Sequence, residues 1–516
     1  MNKIKVFLTS VVALIIAGLT AGFVLLIYYD QTAWSIWFVF ASVILIDACF
    51  AIYIINSKRH MNTKACWLLL IAILPLAGCF FFVIFGTMPM SRKDWRLEML
   101  SNAKFNKYED YAYSKAFIKA NTESSNLFSY SYRNELKPIY KNNRVEVLSS
   151  NTKSYSEIIR LIRSAENFIH METYILHDGF FLRTIIAELI LKAKSGVKVR
   201  LLYDWYGGWH KFKIRQVKEL KNAGVEVGIF NQPEFNMFKS ATNYRLHRKA
   251  IIVDNKYAFY GGSNIGDEYL SIDPKKYYWR DQNFIFEGEI VNSINIVFIN
   301  DWLNFTDKSV KDENKQELLN SLNKYLKIHK VTGVGNMQLC TNTPNYEEKG
   351  IMNTMATMML RAKKSIKLIT PYFLPTELCL SVLKIAARSG IDVQIILPGK
   401  RDNKNFILTM NRGQYSELLK VWCKVYEYDG FIHSKCLIVD DKYVLTTSAN
   451  FDFRSFWSDF EDGILIDSPK FCKEMSEAFR KEIANSKLIT KENVKQFNTF
   501  ANRLRLAFFN LYKPLL

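Results

Sequence analysis

Apolar residues divide the chain into an N-terminal part that is almost continuously apolar and a longer part of mixed pattern. Residues 7–29 and 65–91 contain no charged residue, and residues 31–57 contain only Asp47. Each run exceeds the roughly 20 residues that cross about 30 Å of hydrocarbon. We therefore predict a membrane anchor of two to three hydrophobic segments over residues 1–90. The first run is too long for a signal peptide and lacks a small-residue cleavage site, so we expect it to be retained.

Basic residues around these runs bear on the side of the membrane that each loop occupies. They stand at positions 3 and 5, at 58, 59 and 64, and at 92, 93 and 96. The positive-inside rule favours the cytoplasm for all three groups, which three complete spans cannot satisfy. The third run contains Pro75 and Gly78 and could instead enter the membrane and return on the same side. The sequence leaves both arrangements open.

The pattern after residue 91 is that of a polar segment followed by an α/β fold. Residues 91–140 are polar and basic and predict a linker with short helices. Short apolar runs then alternate with helical segments of about ten residues, which predicts a sheet covered by helices. The segments KSGVKV (194–199) and RSGIDV (388–393) stand before equivalent strands, which indicates an internal duplication. We predict two pseudo-symmetric α-β-α repeats, residues 141–325 and 326–516, that share one active site. Predicted strands include 145–148, 168–176, 197–203, 365–370 and 391–397, and predicted helices include 155–165, 181–195, 355–362, 377–389 and 415–422.

A histidine, a lysine and an aspartate recur at the same spacing in each predicted repeat. The two sets are His247, Lys249 and Asp254, and His433, Lys435 and Asp440. Residues two apart on a strand point to the same face, so each His–Lys pair points into one pocket. Each aspartate opens a turn. The strands that return from these turns carry a second set: Gly262, Asn264, Ser448 and Asn450.

These residue types suit the chemistry of a phosphodiester. Lysine supplies charge, asparagine and serine supply hydrogen bonds to the nonbridging oxygens, and imidazole acts as nucleophile or acid. Two halves that face each other would place one imidazole on each side of the phosphorus atom. The motifs contain no carboxylate cluster suited to Mg²⁺, so we expect neither a metal nor another cofactor. Two surface hairpins with solvated side chains are the alternative interpretation.

Charge and cysteine content narrow the class of partner and compartment. The chain has 69 lysines and arginines against 49 aspartates and glutamates, a net charge of +20. Such an excess favours an anionic partner, either nucleic acid or the anionic face of a membrane. The apolar N-terminus favours the membrane, and we expect no nucleic-acid partner. The eight cysteines are scattered without a C-x-x-C pair, which argues against a disulfide framework and a zinc site.

Several longer words accompany the doubled motif: GGSNIGDEYL (261–270), WRD (279–281), TPYFLP (370–375) and SANFDFRSF (448–456). With them the chain from about residue 64 to its end resembles the phospholipase D superfamily and, more closely, the bacterial cardiolipin synthases. The resemblance implies transfer of a phosphatidyl group between two phosphatidylglycerol molecules, giving cardiolipin and glycerol. It also implies a multi-pass protein of the bacterial plasma membrane whose partners are phosphatidylglycerol and anionic lipid.

The resemblance implies roles for the motif residues. One histidine forms a covalent phosphohistidine, and the other protonates the leaving alcohol. We assign the first role to His247 and the second to His433, and the symmetry leaves the reverse assignment open. Asp254 and Asp440 are grouped with the catalytic motifs, although their place in the turns indicates a structural role.

Four further acidic residues receive expectations. By resemblance, Asp281 orients the first motif histidine, and Glu461 orients the second. Glu172 lies in a predicted buried strand and is a candidate substrate contact, with a structural ion pair as an equal alternative. Ser458 and Asp459 stand where the family usually has Leu-Asn, which concerns a peripheral contact.

Other functions remain compatible with parts of the pattern. The same chemistry would serve a membrane-bound phospholipase D or another phosphatidyltransferase, such as one that accepts serine. The net charge would also suit a nucleic-acid phosphodiesterase. A degenerate membrane scaffold is disfavoured because both motifs are intact. The sequence does not indicate acyl preference or oligomeric state.

Overall fold

The computed structural model describes residues 33–57, 59, 61–86, 105–232, 244–273, 277–306, 310–333, 335–344, 349–401 and 405–512. The predicted first apolar run, residues 7–29, lies outside the described residues. The chain separates into two compact units, one that contains the apolar N-terminal segments and one that contains most of residues 92–509.

The N-terminal unit contains three helices among its described residues: α1 (Ala33–Asn56), α2 (Met61–Ile73) and α3 (Ala77–Phe85). Within the described part of the chain, one helix is long and apolar enough to cross a membrane, over Trp37–Asn56. The third predicted run is not one helix, because it is divided at Pro75 into segments of 13 and 9 residues. The prediction of a multi-pass anchor is therefore not confirmed, and one candidate span is what the described residues contain.

Within the predicted linker, the described residues of the larger unit form a short 3-10 helix (Asn106–Tyr108) and then α4 (Ala112–Lys119) and α5 (Glu123–Asn134). Leu127 and Phe128 of α5 are buried in the same apolar core as the second sheet described below. The described residues of the first α/β part form these strands: β1 (Ile139–Tyr140), β2 (Asn143–Leu148), β3 (Phe168–Thr173), β4 (Lys198–Asp204), β5 (Glu226–Phe230), β6 (Arg245–Leu246), β7 (Ala250–Val253), β8 (Tyr257–Gly261), β9 (Trp279–Arg280) and β10 (Asn283–Gly288). Its helices are α6 (Asn151–Ser164), α7 (Phe180–Lys194), α8 (Trp205–Gly208), α9 (Ile214–Asn222), α10 (Glu289–Phe305), α11 (Asp312–Asn320) and α12 (Leu322–Tyr325).

The second α/β part has the same kind of elements. Its strands are β11 (Met337–Asn342), β12 (Ser365–Ile369), β13 (Phe373–Leu374), β14 (Asp392–Pro398), β15 (Lys424–Tyr428), β16 (Phe431–Ile432), β17 (Cys436–Val439), β18 (Tyr443–Thr447), β19 (Phe451–Asp452), β20 (Asp459–Ile466) and β21 (Ser486–Leu488). Its helices are α13 (Gly350–Leu360), α14 (Glu377–Arg388), α15 (Asn405–Lys420), α16 (Phe453–Trp457), α17 (Pro469–Ala484), α18 (Lys491–Phe497) and α19 (Phe500–Tyr512).

Two mixed sheets form the centres of these parts and have matching topology. The first sheet has the order β2-β10-β8-β7-β3-β4-β5, and the second contains the order β11-β20-β18-β17-β12-β14-β15. In both, the last two pairings are parallel and the others antiparallel. The motif strands β7 and β17 lie in the middle, and each of their residues is buried. Apolar side chains fit both faces there because helices cover the sheet.

The motif aspartates close the hairpins at the far end of these strands. Asp254 and Asp440 have φ values of 54° and 56°, and the residue after each is also left-handed, as a tight hairpin turn requires. The Asp254 carboxylate accepts three backbone N–H bonds from residues 166–168, and Asp440 accepts three from residues 363–365. Each aspartate is five residues from its motif lysine, about 16 Å along a strand. The prediction that groups Asp254 and Asp440 with the catalytic residues is therefore corrected. Their carboxylates hold the hairpin turns to the start of β3 and the start of β12.

Candidate active site

Two short strand pairs join the halves of the larger unit at the motif histidines. Strand β6 pairs in parallel with the start of β20, and β16 pairs in parallel with β9. The His247 N–H donates to the Phe460 carbonyl at 2.9 Å, and the His433 N–H donates to the Arg280 carbonyl at 2.7 Å. Each histidine is thus positioned by backbone of the other half.

These pairs deliver each histidine to a carboxylate of the opposite half. His247 Nδ1 lies 2.8 Å from Glu461 Oε1, and His433 Nδ1 lies 2.7 Å from Asp281 Oδ2. Both residues were expected to orient histidines, but the predicted pairing was wrong, because each acid serves the other motif. The reason is the backbone register. The carbonyl groups of Phe460 and Arg280 bind the histidine N–H groups, and the next residues along the chain are Glu461 and Asp281.

The difference between Gly262 and Ser448 follows from the acids beside them. A Cβ atom on Gly262 would lie 2.5 Å from Asp281 Oδ1, so a side chain there would displace the carboxylate. The Ser448 hydroxyl donates to Glu461 Oε2 at 2.5 Å and accepts from the Asp462 N–H at 3.1 Å. Ser448 was expected to bind substrate, whereas its hydroxyl positions Glu461.

The two motif lysines are buried beside the imidazoles. Lys435 Nζ lies 2.9 Å from His433 Nδ1 and 3.1 Å from Nε2, and Lys249 Nζ donates to the His247 carbonyl. Burial lowers the pKa of Lys249 to about 8, although the charges of Glu461 and other nearby carboxylates oppose this. Burial also lowers the pKa of Lys435 to about 7, although Asp281 opposes this. A bound anion would raise the pKa values of both lysines and so restore the positive charge of their ammonium groups.

The carboxylates and the second histidine complete the electrostatic balance. Burial and the neighbouring Lys435 charge lower the pKa of His433 to about 3, so its imidazole is neutral near pH 7. Burial opposes ionisation of Asp281, but His433 and Lys435 outweigh it and lower the pKa of Asp281. Burial raises the pKa of Glu461 to about 7, although Lys249 opposes this rise. The two orienting acids are therefore not electrostatically equivalent.

The motif asparagines differ in what they bind. Asn264 Nδ2 donates to the Tyr269 hydroxyl at 2.6 Å, and its Oδ1 accepts from the Ile175 N–H at 3.1 Å. Asn450 Oδ1 is buried and has no hydrogen-bond partner among the residues that the structure describes. Because a buried amide needs a partner, Asn450 is the asparagine of the pair that is available to a ligand.

Glu172 belongs to a buried charged cluster behind the motif. Its carboxylate oxygens are buried and have no hydrogen-bond partner within the described ranges. Burial and the charge of Asp301 raise its pKa well above the ordinary value, although Arg248 opposes this. Arg248 forms a buried ion pair with Asp301, and Asp462 Oδ1 accepts from a tyrosine hydroxyl at 3.0 Å. Neither the expected substrate contact nor the structural ion pair of Glu172 is decided by these contacts, and both stay predictions.

Sequence reasoning missed this cluster, although one signal was present. Arg248 stands between His247 and Lys249, so alternation along the strand turns it away from the pocket and into the protein. An arginine that is 2% exposed needs a carboxylate partner, which Asp301 of α10 supplies.

Aromatic and charged residues surround the two imidazoles unequally. Trp279 and Tyr269 contact the His433 ring edge-to-face, with centroids at 5.6 and 5.5 Å. Tyr174 contacts the His247 ring at 5.1 Å. Asp459, where the family pattern is not followed, lies 3.3 Å from the Arg454 guanidinium. The departure at Asp459 therefore places an ion pair in the second half, which supplies Glu461 to His247. The aromatic rings of Trp279 and Tyr269 surround His433.

No metal-binding cluster stands out: within the described ranges no group of three or more histidine, cysteine, aspartate or glutamate side chains could hold a metal ion. That the reaction needs no metal stays a prediction.

Comparisons with known proteins give consistent results. A family model for the cardiolipin synthase, PLD-like domain matches residues 158–302 and 355–483. The cardiolipin synthase of Halalkalibacterium halodurans is 33% identical over 484 residues, 92% of this chain and 93% of that protein. That of Alkalihalophilus pseudofirmus is 33% identical over 469 residues, 90% of this chain and 91% of that protein. The phosphatidylserine synthase of Haemophilus influenzae has a TM-score of 0.56 at 18% identity, over 77% of this chain and all of that one, which shows a shared fold.

Proposed function

The chain belongs to the cardiolipin synthase family of proteins with phospholipase D-like domains, and from this premise we propose its reaction. It is a phosphatidyltransferase that uses two phosphatidylglycerol molecules as donor and acceptor and releases cardiolipin and glycerol. The observation that carries the proposal is the reciprocal exchange of acids, Glu461 to His247 and Asp281 to His433. It supports one site built from both halves, because neither histidine is oriented without the other half.

The charges around the histidines support the same conclusion. Lys249, from the first half, acts electrostatically on His433 and Lys435 of the second. Charges influence one another in this way when they lie near each other in a medium of low dielectric, which supports a site shared by the two halves. A phosphodiester between them would receive charge from both lysines, and Asn450 Oδ1 would accept a hydrogen bond from a hydroxyl of the lipid headgroup.

The reaction proceeds in two displacements at one phosphorus atom. In the first, an imidazole nitrogen bonds to phosphorus, the bond from phosphorus to the glycerol oxygen breaks, and the other imidazole gives that oxygen a proton. In the second, the terminal hydroxyl of another phosphatidylglycerol loses its proton to the second imidazole and attacks phosphorus, and the phosphorus–nitrogen bond breaks. A phosphodiester is consumed and a phosphodiester is formed, so no nucleotide is required.

We assign attack to His247 and proton transfer to His433. On this assignment the bound phosphodiester anion offsets the Lys435 charge and raises the pKa of His433 from its low value in the empty site. The low value itself favours the reverse assignment, in which neutral His433 attacks. Mapping of the covalent intermediate distinguishes the two.

We propose further that the two α/β parts are repeats of one ancestral unit. The identical order and sense of seven strands supports this. The two segments matched by the family model, one in each part, support it as well. The anchor would hold this shared site at the plasma membrane, where lipid is concentrated and water is depleted.

The experiment is conversion of labelled phosphatidylglycerol by the purified full-length protein, with products separated by thin-layer chromatography. Cardiolipin and glycerol in equal amounts support the proposal. Phosphatidic acid as the main product would indicate a phospholipase D, and phosphatidylserine on addition of serine would indicate a serine-accepting transferase. No conversion would favour a scaffold.

A further inference from the structure

The apolar segment after α1 folds back on itself. The rings of Trp67 on α2 and Phe82 on α3 have centroids 5.2 Å apart. In one continuous helix these positions would be separated by about 22 Å. A Cβ atom on Gly78 would lie 2.7 Å from the Ile71 Cα, so the backbones of the two helices touch just after the turn. Helices α2 and α3 are thus the arms of a hairpin.

A single carboxylate on the neighbouring helix caps the tip of this hairpin. Pro75 ends α2, and Leu76 adopts a φ of 57° before α3 begins. Asp47 Oδ1 accepts from the Leu76 N–H at 3.2 Å and from Cys79 Sγ at 3.1 Å. These donors belong to the first turn of α3, whose N–H groups have no partner within the helix and no water in a hydrocarbon layer. Asp47, the one charged residue of residues 31–57, is thereby explained as the cap of the start of α3.

The depth of this contact matches the middle of a bilayer. Asp47 lies nine residues before Asn56, the last residue of α1, which corresponds to about 14 Å along a helix. Helix α2 has 13 residues, or about 20 Å, and is too short to cross about 30 Å of hydrocarbon. The hydrogen bond from Leu76 to Asp47 places the far end of this helix beside Asp47, well inside the hydrocarbon.

The open end of the hairpin lies beside the end of α1. The Arg59 guanidinium lies 4.8 Å from the Phe82 ring, near the end of α3. Lys64 Nζ donates to the Ile55 carbonyl at 2.6 Å, in the last turn of α1. The end of α1, the start of α2 and the end of α3 therefore share one level, at which the basic residues stand.

We propose that residues 61–86 form a re-entrant hairpin that enters the lipid next to Arg59, turns at Pro75 and Leu76 beside Asp47, and leaves on the same side. Its exposed apolar side chains, among them Leu74, Phe80 and Phe81, face lipid. The hairpin then leaves the lipid on the side of Arg59 and Lys64, which the positive-inside rule assigns to the cytoplasm. Resting on the proposed function, this means that donor and acceptor come from the cytoplasmic leaflet and that glycerol is released into the cytoplasm.

The test is the accessibility of single introduced cysteines in the full-length protein. Met61→Cys lies at the start of the hairpin, and Asn102→Cys follows its end. A membrane-impermeant maleimide is applied to intact spheroplasts and to inverted membrane vesicles, and the unsubstituted protein gives the background of the native cysteines. Labelling of both sites in inverted vesicles alone is the expected result. Labelling from opposite sides would overturn the hairpin, and labelling of both in spheroplasts alone would overturn the cytoplasmic assignment.

Two substitutions of Asp47 test its part in the turn. Asp47→Asn keeps an acceptor oxygen, and Asp47→Leu removes it, so only the leucine variant should move part of the Asn102→Cys label to the outer side. An unchanged labelling pattern in Asp47→Leu would show that the cap does not hold the hairpin. Labelling requires no catalysis, so failure of the proposed reaction would not alter these outcomes.

Discussion

Each half supplies the carboxylate that binds the histidine of the other half. This pairing predicts which histidine each carboxylate is energetically coupled to. The perturbation is Glu461→Gln, His247→Gln and the double variant, in a double-mutant cycle, with the cycle of Glu461→Gln and His433→Gln as matched control. Glu461 is fully buried, and its oxygen lies 2.8 Å from the His247 ring. A hydrogen bond to a charged group contributes about 1.5–3 kcal/mol. Residues in direct contact show interaction energies of about 0.5–3 kcal/mol, while independent sites add within about 0.5 kcal/mol.

The assay is chemical denaturation of the full-length protein in detergent, followed by tryptophan fluorescence, with the free energy of unfolding as the quantity compared. We expect an interaction energy above about 1 kcal/mol for Glu461 with His247 and a smaller one for Glu461 with His433, which it does not contact directly. The measurement needs no activity, so loss of catalysis in the variants does not obscure it. A larger interaction with His433 than with His247 would refute the exchanged pairing and restore the pairing within each half.

Three more results follow from the site. Because Lys435 and Lys249 have pKa values of about 7 and 8 in the empty site, their charge is present below these values and is lost above them. The kcat/KM for phosphatidylglycerol should therefore fall as the pH rises through this range, and a flat profile would contradict the lysine account. Gly262→Ala should lower kcat at least tenfold in the chromatographic assay, since its Cβ would lie 2.5 Å from Asp281 Oδ1; an unchanged kcat would show that this carboxylate is not needed in place. EDTA should leave the initial rate unchanged, and inhibition reversed by Mg²⁺ would show that the reaction uses a metal.

Local pattern predicted the elements well where periodicity was strong. The expected strand 168–176 is Phe168–Thr173, and the expected helix 181–195 is Phe180–Lys194. The expected helix 415–422 begins ten residues earlier, at Asn405, because Gly413 and polar residues within it weaken the apolar period. The family resemblance is confirmed by the family model and the relatives. It could be recognised from the sequence because the motif residues that carry it are separated by fixed local spacings.

The relation between the halves could not be predicted in the same way. Strands β6, β9 and β16 have two residues each, too few to show alternation. Their pairing across the halves decides which carboxylate reaches which histidine, and nothing in the spacing of Asp281 or Glu461 encodes it. The third apolar run was ambiguous for a similar reason. The carboxylate that binds the turn within it belongs to Asp47, which lies in a different segment of the chain.

The central claim is that one imidazole bonds covalently to the phosphorus atom and the other transfers the protons, in a site built from both halves. The most direct measurement is to mix the protein with phosphatidylglycerol labelled with ³²P, quench in base within milliseconds, digest, and map the labelled peptides by mass spectrometry. The account predicts base-stable label on one histidine alone, His247, with no label in His247→Ala. Label on both histidines, or cardiolipin formed at full rate without any labelled histidine, would contradict it, and label on His433 alone would reverse the assigned roles.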